Sequence, residues 1–243
     1  MARNSGSEPD SSGVKPLFTV GHSSLDFPQF VKLLRDSTIE LLIDVRSRPH
    51  SSRFPQFSQP GFEKMLGEEG ISYLSLGEEL GGWPDDPDTY RSDGRVDYRK
   101  RRQSYAFRAG MERILAEIER RACALMCAEE DPLECHRFLM ICPELARMGV
   151  QPFHIRKGSK IEDQVSAENR LLEANSFGDV ATCTLFPQAR AEALEKAYEL
   201  QAGKFAYRST ARNGVGKGPP SRLTTRHANA RSGSYRRPSG LSY

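Results

Sequence analysis

The stretch LLIDV at residues 41–45 is almost continuously apolar, and it indicates the fold class of the chain. A strand that is covered on both faces in a parallel sheet has this composition. Three more short apolar segments predict strands at 17–20 (LFTV), 71–76 (ISYLSL) and 123–126 (CALM), and a fifth strand is predicted at 152–155. We therefore expect an open, mostly parallel sheet of about five strands.

Helical patterns alternate with these strands. Asp26 and Gln29 have the spacing of a capping box, which predicts the start of the first helix. Pro143 lies inside a later helical pattern and is expected to kink it. The other predicted helices cover residues 61–69, 104–121, 160–174 and 188–203, and a long loop is predicted over 77–102. Such alternation predicts an α/β protein with helices on both faces of the sheet.

Charge and length suggest one folded domain with two tails. Residues 1–15 predict a disordered leader, 16–204 a single α/β domain, and 205–243 a basic, disordered tail. From Arg208 to the end there are eight Lys or Arg residues and no Asp or Glu. The net charge of the chain is +3, so the remaining residues together carry −5. We expect a mildly acidic body and a basic tail.

The sequence predicts a cytoplasmic protein that does not cross a membrane. No apolar run approaches the ~20 residues that span a bilayer. The first residues, MARNSGSEPDSSG, lack the apolar region of a secretory signal. The cysteines should therefore be reduced thiols. There are five of them: Cys123, Cys127, Cys135, Cys142 and Cys183.

Ligands of open α/β sheets bind beyond the carboxyl ends of the strands, so we examined the residues that follow each predicted strand. Those with catalytic or binding chemistry are His22 and Ser23 after the first strand, Asp44, Arg46 and Arg48 after the second, Gly81 and Gly82 after the third, and Cys127, Glu129, Cys135, His136 and Arg137 after the fourth. Four strand ends thus deliver such groups to one edge of the sheet.

Cys127 is the candidate nucleophile of this edge. A thiol at a strand end that faces a helix N-terminus can have a lowered pKa, and its thiolate is a nucleophile. The remaining candidate catalytic residues are His22, Asp44, Glu129, Cys135 and His136. The candidate ligand-binding residues, which would hold an anion, are Arg46, Arg48, Arg137, Ser23, Gly81 and Gly82. Acidic neighbours of the thiol oppose both roles, because carboxylates raise its pKa and repel an anion.

The helix after the fourth strand has two alternative starts. If Asp131 caps it and Pro132 opens it, Cys135 lies on the apolar face and Arg137 points roughly 200° away. If the helix starts after Arg137, both Cys135 and Arg137 can face the site.

Five motifs together resemble the domain of unknown function 488 (DUF488) family. They are Val20-Gly-His-Ser, Asp44-Val-Arg-Ser-Arg-Pro, Pro55-Gln-Phe, Leu80-Gly-Gly, and Met126-Cys-Ala-Glu with the later Cys-His-Arg. The resemblance covers about 16–175 and leaves 176–204 as a C-terminal helical extension. The family has no settled activity, so the resemblance implies no function.

A more distant similarity is to the rhodanese and cysteine-phosphatase superfamily. It lies in LLIDVR and in the strand that ends in Cys127 and is followed by Arg137. This similarity implies a rhodanese-like Rossmannoid fold and a strand-end cysteine that takes up sulfur or phosphoryl groups. The span from Cys127 to Arg137 is longer than the phosphatase Cys-x5-Arg, and its loop is acidic. Sulfur transfer or related thiol chemistry is therefore favoured over phosphatase activity.

The sequence leaves three functions open. The first is a cysteine-dependent transferase that acts on an anionic small molecule, a nucleotide-like substrate or a nucleic acid, with no cofactor. The second is a zinc site made from His22, Cys127, Cys135 and His136, although Cys-x7-Cys-His is not a usual zinc spacing. The third is a non-enzymatic nucleic-acid-binding module that uses the Arg48 loop and the basic tail.

Overall fold

The computed structural model describes residues 15–181 and 187–209, and these contain a six-stranded sheet. The strands are β1 (Leu17–Gly21), β2 (Leu41–Asp44), β3 (Ser72–Ser75), β4 (Cys123–Cys127), β5 (Phe153–Arg156) and β6 (Lys160–Asp163). They lie in the order β3-β2-β4-β1-β5-β6. Every pairing is parallel except that of β6, which runs antiparallel to β5. The prediction of a mostly parallel, open α/β sheet is confirmed.

Helices connect the strands. The α-helices are α1 (Phe27–Asp36), α2 (Gly61–Glu68), α3 (Gly77–Leu80), α4 (Tyr98–Gln103), α5 (Tyr105–Ile118), α6 (Cys142–Arg147), α7 (Gln164–Ala174), α8 (Gly178–Ala181) and α9 (Pro187–Phe205). Short 3-10 turns lie at Pro55–Phe57, Pro87–Thr89 and Pro132–Glu134, and a π-helical segment spans Arg137–Ile141. The capping box of α1 is present: the Asp26 carboxylate accepts from Gln29 N, and the Gln29 side chain accepts from Asp26 N.

Two hydrophobic layers cover the sheet, one on each face. On one face, β2 and β4 side chains such as Ile43 and Leu125 pack against α5 residues that include Phe107 and Ile114. On the other face, alternate strand residues pack against α1 and α2, as Leu42 does. Both layers are buried, which explains why β2 and β4 carry apolar residues on both sides.

Three sequence predictions about elements need correction. The strand β6 was predicted as the start of a helix; it is an exposed edge strand whose charged side chains mask the strand pattern. The predicted loop over 77–102 contains α3, a 3-10 turn and most of α4. Pro143 was predicted inside a single helix; it lies in the first turn of α6, at the junction where the π-helical segment Arg137–Ile141 changes to α-helix.

Residues 205–209, which the sequence assigns to the tail, pack against the body of the protein. Val96 N donates to Tyr207 O at 2.9 Å, and Ser209 N donates to Gly94 O at 2.8 Å. Ala206 is buried. The folded part therefore extends beyond the predicted boundary at 204, and the rest of the predicted tail, with residues 1–14 of the leader, lies outside the described residues.

Within the described part of the chain, no helix is both long enough and apolar enough to cross a membrane. Four cysteines, Cys123, Cys127, Cys135 and Cys142, are free thiols and all are buried. Cys183 lies outside the described residues.

Candidate functional site

The carboxyl ends of β1, β2 and β4 lie side by side, because β4 is between the other two strands. Backbone hydrogen bonds continue past the strands: His22 N donates to Cys127 O at 3.0 Å, and Val45 N donates to Met126 O at 3.1 Å. The loops that follow these strands therefore meet at one edge of the sheet, as the sequence predicts, and Cys127 is at the centre.

A cavity of about 830 Å³ opens at this edge. Eight of the twelve predicted site residues line it: His22, Ser23, Arg46, Arg48, Gly82, Cys127, Glu129 and His136. The lining also includes His50, Arg53, Phe54, Trp83, Glu134 and Tyr207. A second cavity, of about 730 Å³, lies against α9 and has no cysteine or histidine in its lining. We therefore place the chemistry in the first.

Two sulfurs and one imidazole nitrogen meet at the wall of this cavity. Cys127 Sγ lies 3.5 Å from Nδ1 of His136, and Cys135 Sγ lies 3.9 Å from the same nitrogen. These three atoms are all within 4.8 Å of one another. Glu129 Oε2 accepts a hydrogen bond from Cys127 Sγ at 3.1 Å. We call Cys127, Cys135 and His136 the dithiol–histidine cluster.

The His136 ring is held in one orientation. Its Nε2 lies 2.9 Å from the Val45 carbonyl oxygen, which can only accept, so Nε2 carries a hydrogen and Nδ1 points at the sulfurs. Gly82 packs against the other side of the ring, where an added Cβ would lie 2.8 Å from His136 Cγ. Gly82 thus makes room for the imidazole, and its predicted contact with a ligand stays a prediction.

The charges around the cluster favour ionisation of one sulfur. A hydrogen bond to Cys135, together with burial and the Glu129 carboxylate, raises the pKa of Cys127. Burial opposes ionisation of Cys135, but the hydrogen bond from Cys127 and the charges of Arg137 and His136 outweigh it and lower the pKa of Cys135. Burial also opposes protonation of His136, yet the neighbouring Cys135 raises its pKa. A negative charge is therefore favoured on Cys135 over Cys127.

The segment between the two cysteines adopts neither of the two predicted helix starts. Asp131 caps only the 3-10 turn at Pro132–Glu134, as its carboxylate accepts from Leu133 N at 3.0 Å. The backbone is extended at Cys135, and a new helical segment begins at Arg137. This break turns the Cys135 side chain toward the cluster.

Arg137, which the sequence predicts to bind an anion, does not line the cavity. It is fully buried and donates to Thr19 Oγ1 at 3.3 Å, to Glu129 O at 2.6 Å and to Glu130 O at 2.8 Å. Its guanidinium holds the loop after β4 in place from behind the cavity wall. The sequence could not reveal this, because two of the three acceptors of Arg137 are main-chain carbonyls.

Asp44, a predicted catalytic residue, also lies outside the cavity lining. It is fully buried, and its carboxylate accepts hydrogen bonds from the Arg46 guanidinium and, at 2.7 Å, from the Tyr73 hydroxyl. Arg46 donates further to Phe57 O and contacts His22 Nε2. Four of its five N–H groups are thus used, which leaves at most one for a ligand. Asp44 positions Arg46 in the cavity wall.

His22 stacks on the Phe57 ring with a centroid distance of 4.3 Å, and it does not belong to the dithiol–histidine cluster. The predicted four-residue zinc set is therefore reduced to three. Burial, assisted by the charge of Arg46, lowers the pKa of His22 to about 4. Ser23 has a left-handed backbone (φ 47°), and its N–H donates to Ala128 O, so it shapes the loop.

The mouth of the cavity is basic and aromatic. The guanidinium of Arg48 lies 3.9 Å from the centroid of the Trp83 ring, and the Trp83 ring lies 4.0 Å from that of Tyr207. Arg53 lies over Phe54. Neither Arg48 nor Arg53 has a carboxylate partner among the described residues. Tyr207 and Arg53 were missed by sequence reasoning, since nothing in their local pattern marks them.

Gly81 lies outside the cavity lining, next to Ser47. An added Cβ there would collide with the Gly77 carbonyl and the Ser47 hydroxyl, which accepts a hydrogen bond from Trp83 N at 2.8 Å. Gly81 thus allows the close approach that fixes Trp83, in place of the predicted ligand contact.

Residues 26–141 match the family model described as Domain of unknown function DUF488. This match supports the predicted relationship of the chain to the DUF488 family. It includes the whole dithiol–histidine cluster and most of the cavity lining, although it is shorter than the predicted range of about 16–175. The comparisons found no matching curated protein and no matching solved structure. The DUF488 match therefore brings no activity with it, and the function has to be argued from the site.

The buried Arg137 guanidinium yields a prediction about stability. Replacement of Arg137 by Lys shortens the side chain and removes the planar fork, so at least one buried carbonyl loses its donor. An unpaired buried acceptor costs roughly 1–3 kcal/mol, and we expect the free energy of unfolding to fall by about that amount or more. The exposed Arg113→Lys is the matched control, with a change below about 1 kcal/mol. Equal losses in urea denaturation would contradict the role given to Arg137.

His22 yields a prediction about pH. Above pH 6.5 the imidazole is neutral in both the folded and unfolded states. Between pH 6.5 and about 4 only the unfolded state takes up the proton, so stability falls as the pH falls, by up to about 3 kcal/mol. His22→Asn should show a smaller fall over the same window in urea denaturation at several pH values. An unchanged pH slope in the variant would refute the buried, neutral state of His22.

Proposed function

We propose that the protein is a thiol-dependent enzyme that transfers sulfur, with Cys127 as the reacting residue and an anion as the substrate. One observation carries the proposal: a second thiol and an oriented imidazole lie beside Cys127 at the wall of a basic cavity. Cys127 is the member of this pair that lines the cavity, whereas Cys135 lies behind it. A thiol needs a proton acceptor to become a nucleophile, and the cluster offers Cys135 and His136 as acceptors.

The proposed step can be written with thiosulfate, a simple anionic sulfur donor. The Cys127 proton passes to Cys135, and the Cys127 thiolate attacks the outer sulfur of thiosulfate. A bond forms between the two sulfurs, the original sulfur–sulfur bond of thiosulfate breaks, and sulfite leaves with the electron pair. Cys127 is left as a persulfide, from which an acceptor thiolate can take the outer sulfur.

The cavity mouth supports an anionic substrate. Arg48 and Arg53 carry charges that no described carboxylate neutralises, and His50 adds a third basic group on the same loop. Glu129 and Glu134 also line the cavity, so the favourable potential is confined to this loop. The adjacent, tilted rings of Trp83 and Tyr207 offer an aromatic surface beside Arg48, which suits a substrate with a ring as well as a charge, such as a nucleotide.

The proposed similarity to the rhodanese and cysteine-phosphatase superfamily agrees with a sulfur-accepting cysteine at the end of β4. Phosphoryl transfer has less support. The arginine that would clamp a phosphoryl group in that superfamily corresponds to Arg137, which donates to two carbonyls instead. The alternative of a nucleic-acid-binding module rests in part on the basic tail, most of which lies outside the described residues.

The test is sulfur loading of the reduced full chain with thiosulfate. We expect sulfite release and a mass gain of one sulfur atom on the peptide that contains Cys127. Cys127→Ser should abolish both, because it removes the attacking sulfur. Cys123→Ser is the matched control: Cys123 is buried in the same strand, and its Sγ contacts Arg121 O instead of the cluster. Loading of Cys127→Ser at the level of the unmodified chain would eliminate the proposal, and so would no loading by thiosulfate or by an organic persulfide.

A second prediction concerns the substrate-binding loop. Arg48→Met should raise KM for thiosulfate about tenfold with little effect on kcat. The substitution removes a charge that attracts the anion at the cavity mouth and does not contact the reacting sulfur, and a tenfold change corresponds to ~1.4 kcal/mol of binding free energy. Arg113→Met, which changes an arginine that is paired with Glu79 outside the cavity, should leave KM unchanged. An equal rise in both variants, measured by initial rates, would assign the effect to net charge.

A further inference from the structure

The spacing of the atoms in the dithiol–histidine cluster is that of ligands around one metal ion. Zinc binds thiolate sulfur at about 2.3 Å and imidazole nitrogen at about 2.0–2.1 Å in tetrahedral geometry, which places neighbouring ligand atoms roughly 3.5–3.8 Å apart. In the cluster the two sulfur–nitrogen distances are 3.5 and 3.9 Å, and all three ligand atoms are within 4.8 Å of one another. Small side-chain adjustments would therefore complete the geometry.

The orientation of His136 is also that of a metal ligand. Metal-binding histidines commonly donate their second ring N–H to a carbonyl or carboxylate, which fixes the ring and its tautomer. His136 Nε2 donates to Val45 O, and the lone pair of Nδ1 is then available between the two sulfurs. Gly82 closes the other side of the ring, so the imidazole has little freedom to turn away.

The surroundings supply charge and access. Glu129 Oε2 lies 3.1 Å from Cys127 Sγ, so an exposed carboxylate and two buried sulfurs crowd together at the cavity wall. A divalent cation would neutralise this crowding more directly than Arg137, which is already engaged with carbonyls. Cys127, Glu129 and His136 also line the open cavity, which gives an ion a path in and leaves room for a fourth ligand.

We infer that Cys127, Cys135 and His136 form a binding site for a zinc-class divalent ion, with three protein ligands and a fourth position that opens into the cavity. Thiolate and imidazole ligands select this class of metal. Metal binding does not depend on the proposed sulfur transfer, but it would block it. When an ion is bound, the sulfur of Cys127 is a ligand and cannot attack a donor. Metal binding and sulfur loading therefore exclude each other.

The experiment is a titration of the reduced, metal-free full chain with Co²⁺, followed by displacement with Zn²⁺. We expect one ion per chain and a thiolate-to-cobalt charge-transfer absorption that Zn²⁺ removes. Cys135→Ser should weaken binding by more than about 100-fold, because it removes a ligand. Cys142→Ser, which changes another buried cysteine outside the cluster, should bind as the unmodified chain does.

A second measurement needs no variant. Zn²⁺ should protect Cys127 and Cys135 of the unmodified chain from alkylation and leave the alkylation of Cys123 unchanged. The inference is overturned if no ion binds, if cobalt shows no sulfur charge transfer, or if the three cysteines are protected equally. If metal binds but the metal-free chain takes up no sulfur, only the proposed function is refuted. If sulfur loading proceeds with Zn²⁺ bound, the mutual exclusion of metal binding and sulfur loading is refuted.

Discussion

The buried guanidinium of Arg137 is the interaction on which the site depends. A charge that is removed from water needs hydrogen-bond acceptors on every side, and Arg137 finds them in Glu129 O, Glu130 O and Thr19 Oγ1. The two carbonyls belong to the loop directly after β4, whose last residue is Cys127. The position of this loop thus follows from the need to solvate one buried cation.

The same network reaches well beyond the cavity. The Thr19 hydroxyl that accepts from Arg137 lies 2.8 Å from His154 Nδ1, and His154 Nε2 lies 3.1 Å from Gln164 Oε1. Burial lowers the pKa of His154 to about 4, so it stays neutral and can both accept and donate in this chain. A continuous row of hydrogen bonds therefore ties the loop after β4 to β1, β5 and the first turn of α7.

Sequence reasoning located the edge of the sheet and its central cysteine, because both depend on local patterns. An apolar composition predicts a buried strand. Because neighbouring parallel strands end at the same edge of the sheet, the residues that follow them lie close together. The roles of the arginines could not be read in the same way. Arg46, Arg48 and Arg137 are alike in sequence, yet one pairs with a buried carboxylate, one lies exposed at the cavity mouth, and one binds main-chain carbonyls. Such roles depend on acceptors that are distant in sequence or that belong to the backbone.

Similar physics explains the missed elements. The strand β6 pairs with only one neighbour, so it needs no apolar residues on both faces, and its three charged residues carry no apolar signal. Tyr207 reaches the cavity mouth because the chain turns back after α9 and forms a backbone hydrogen bond with Val96. No hydrophobic periodicity in the sequence predicts this contact. The positions of edge strands and of segments that return to the body depend on tertiary contacts, whereas central strands can be predicted from their apolar composition.

The two proposals for the site arise from one electrostatic problem. The two buried sulfurs lie close together, and the Glu129 carboxylate contacts one of them, so they cannot all be ionised without compensating cations. A proton on Cys127 solves the problem by leaving that sulfur neutral, and this proton must move before Cys127 can attack. A metal ion solves it by holding both sulfurs as thiolates, and the open cavity then faces the ion in place of a nucleophile. Arg137 favours the anionic form of the sulfurs in either case. The balance between the two states therefore depends on whether a proton or a metal ion occupies the cluster.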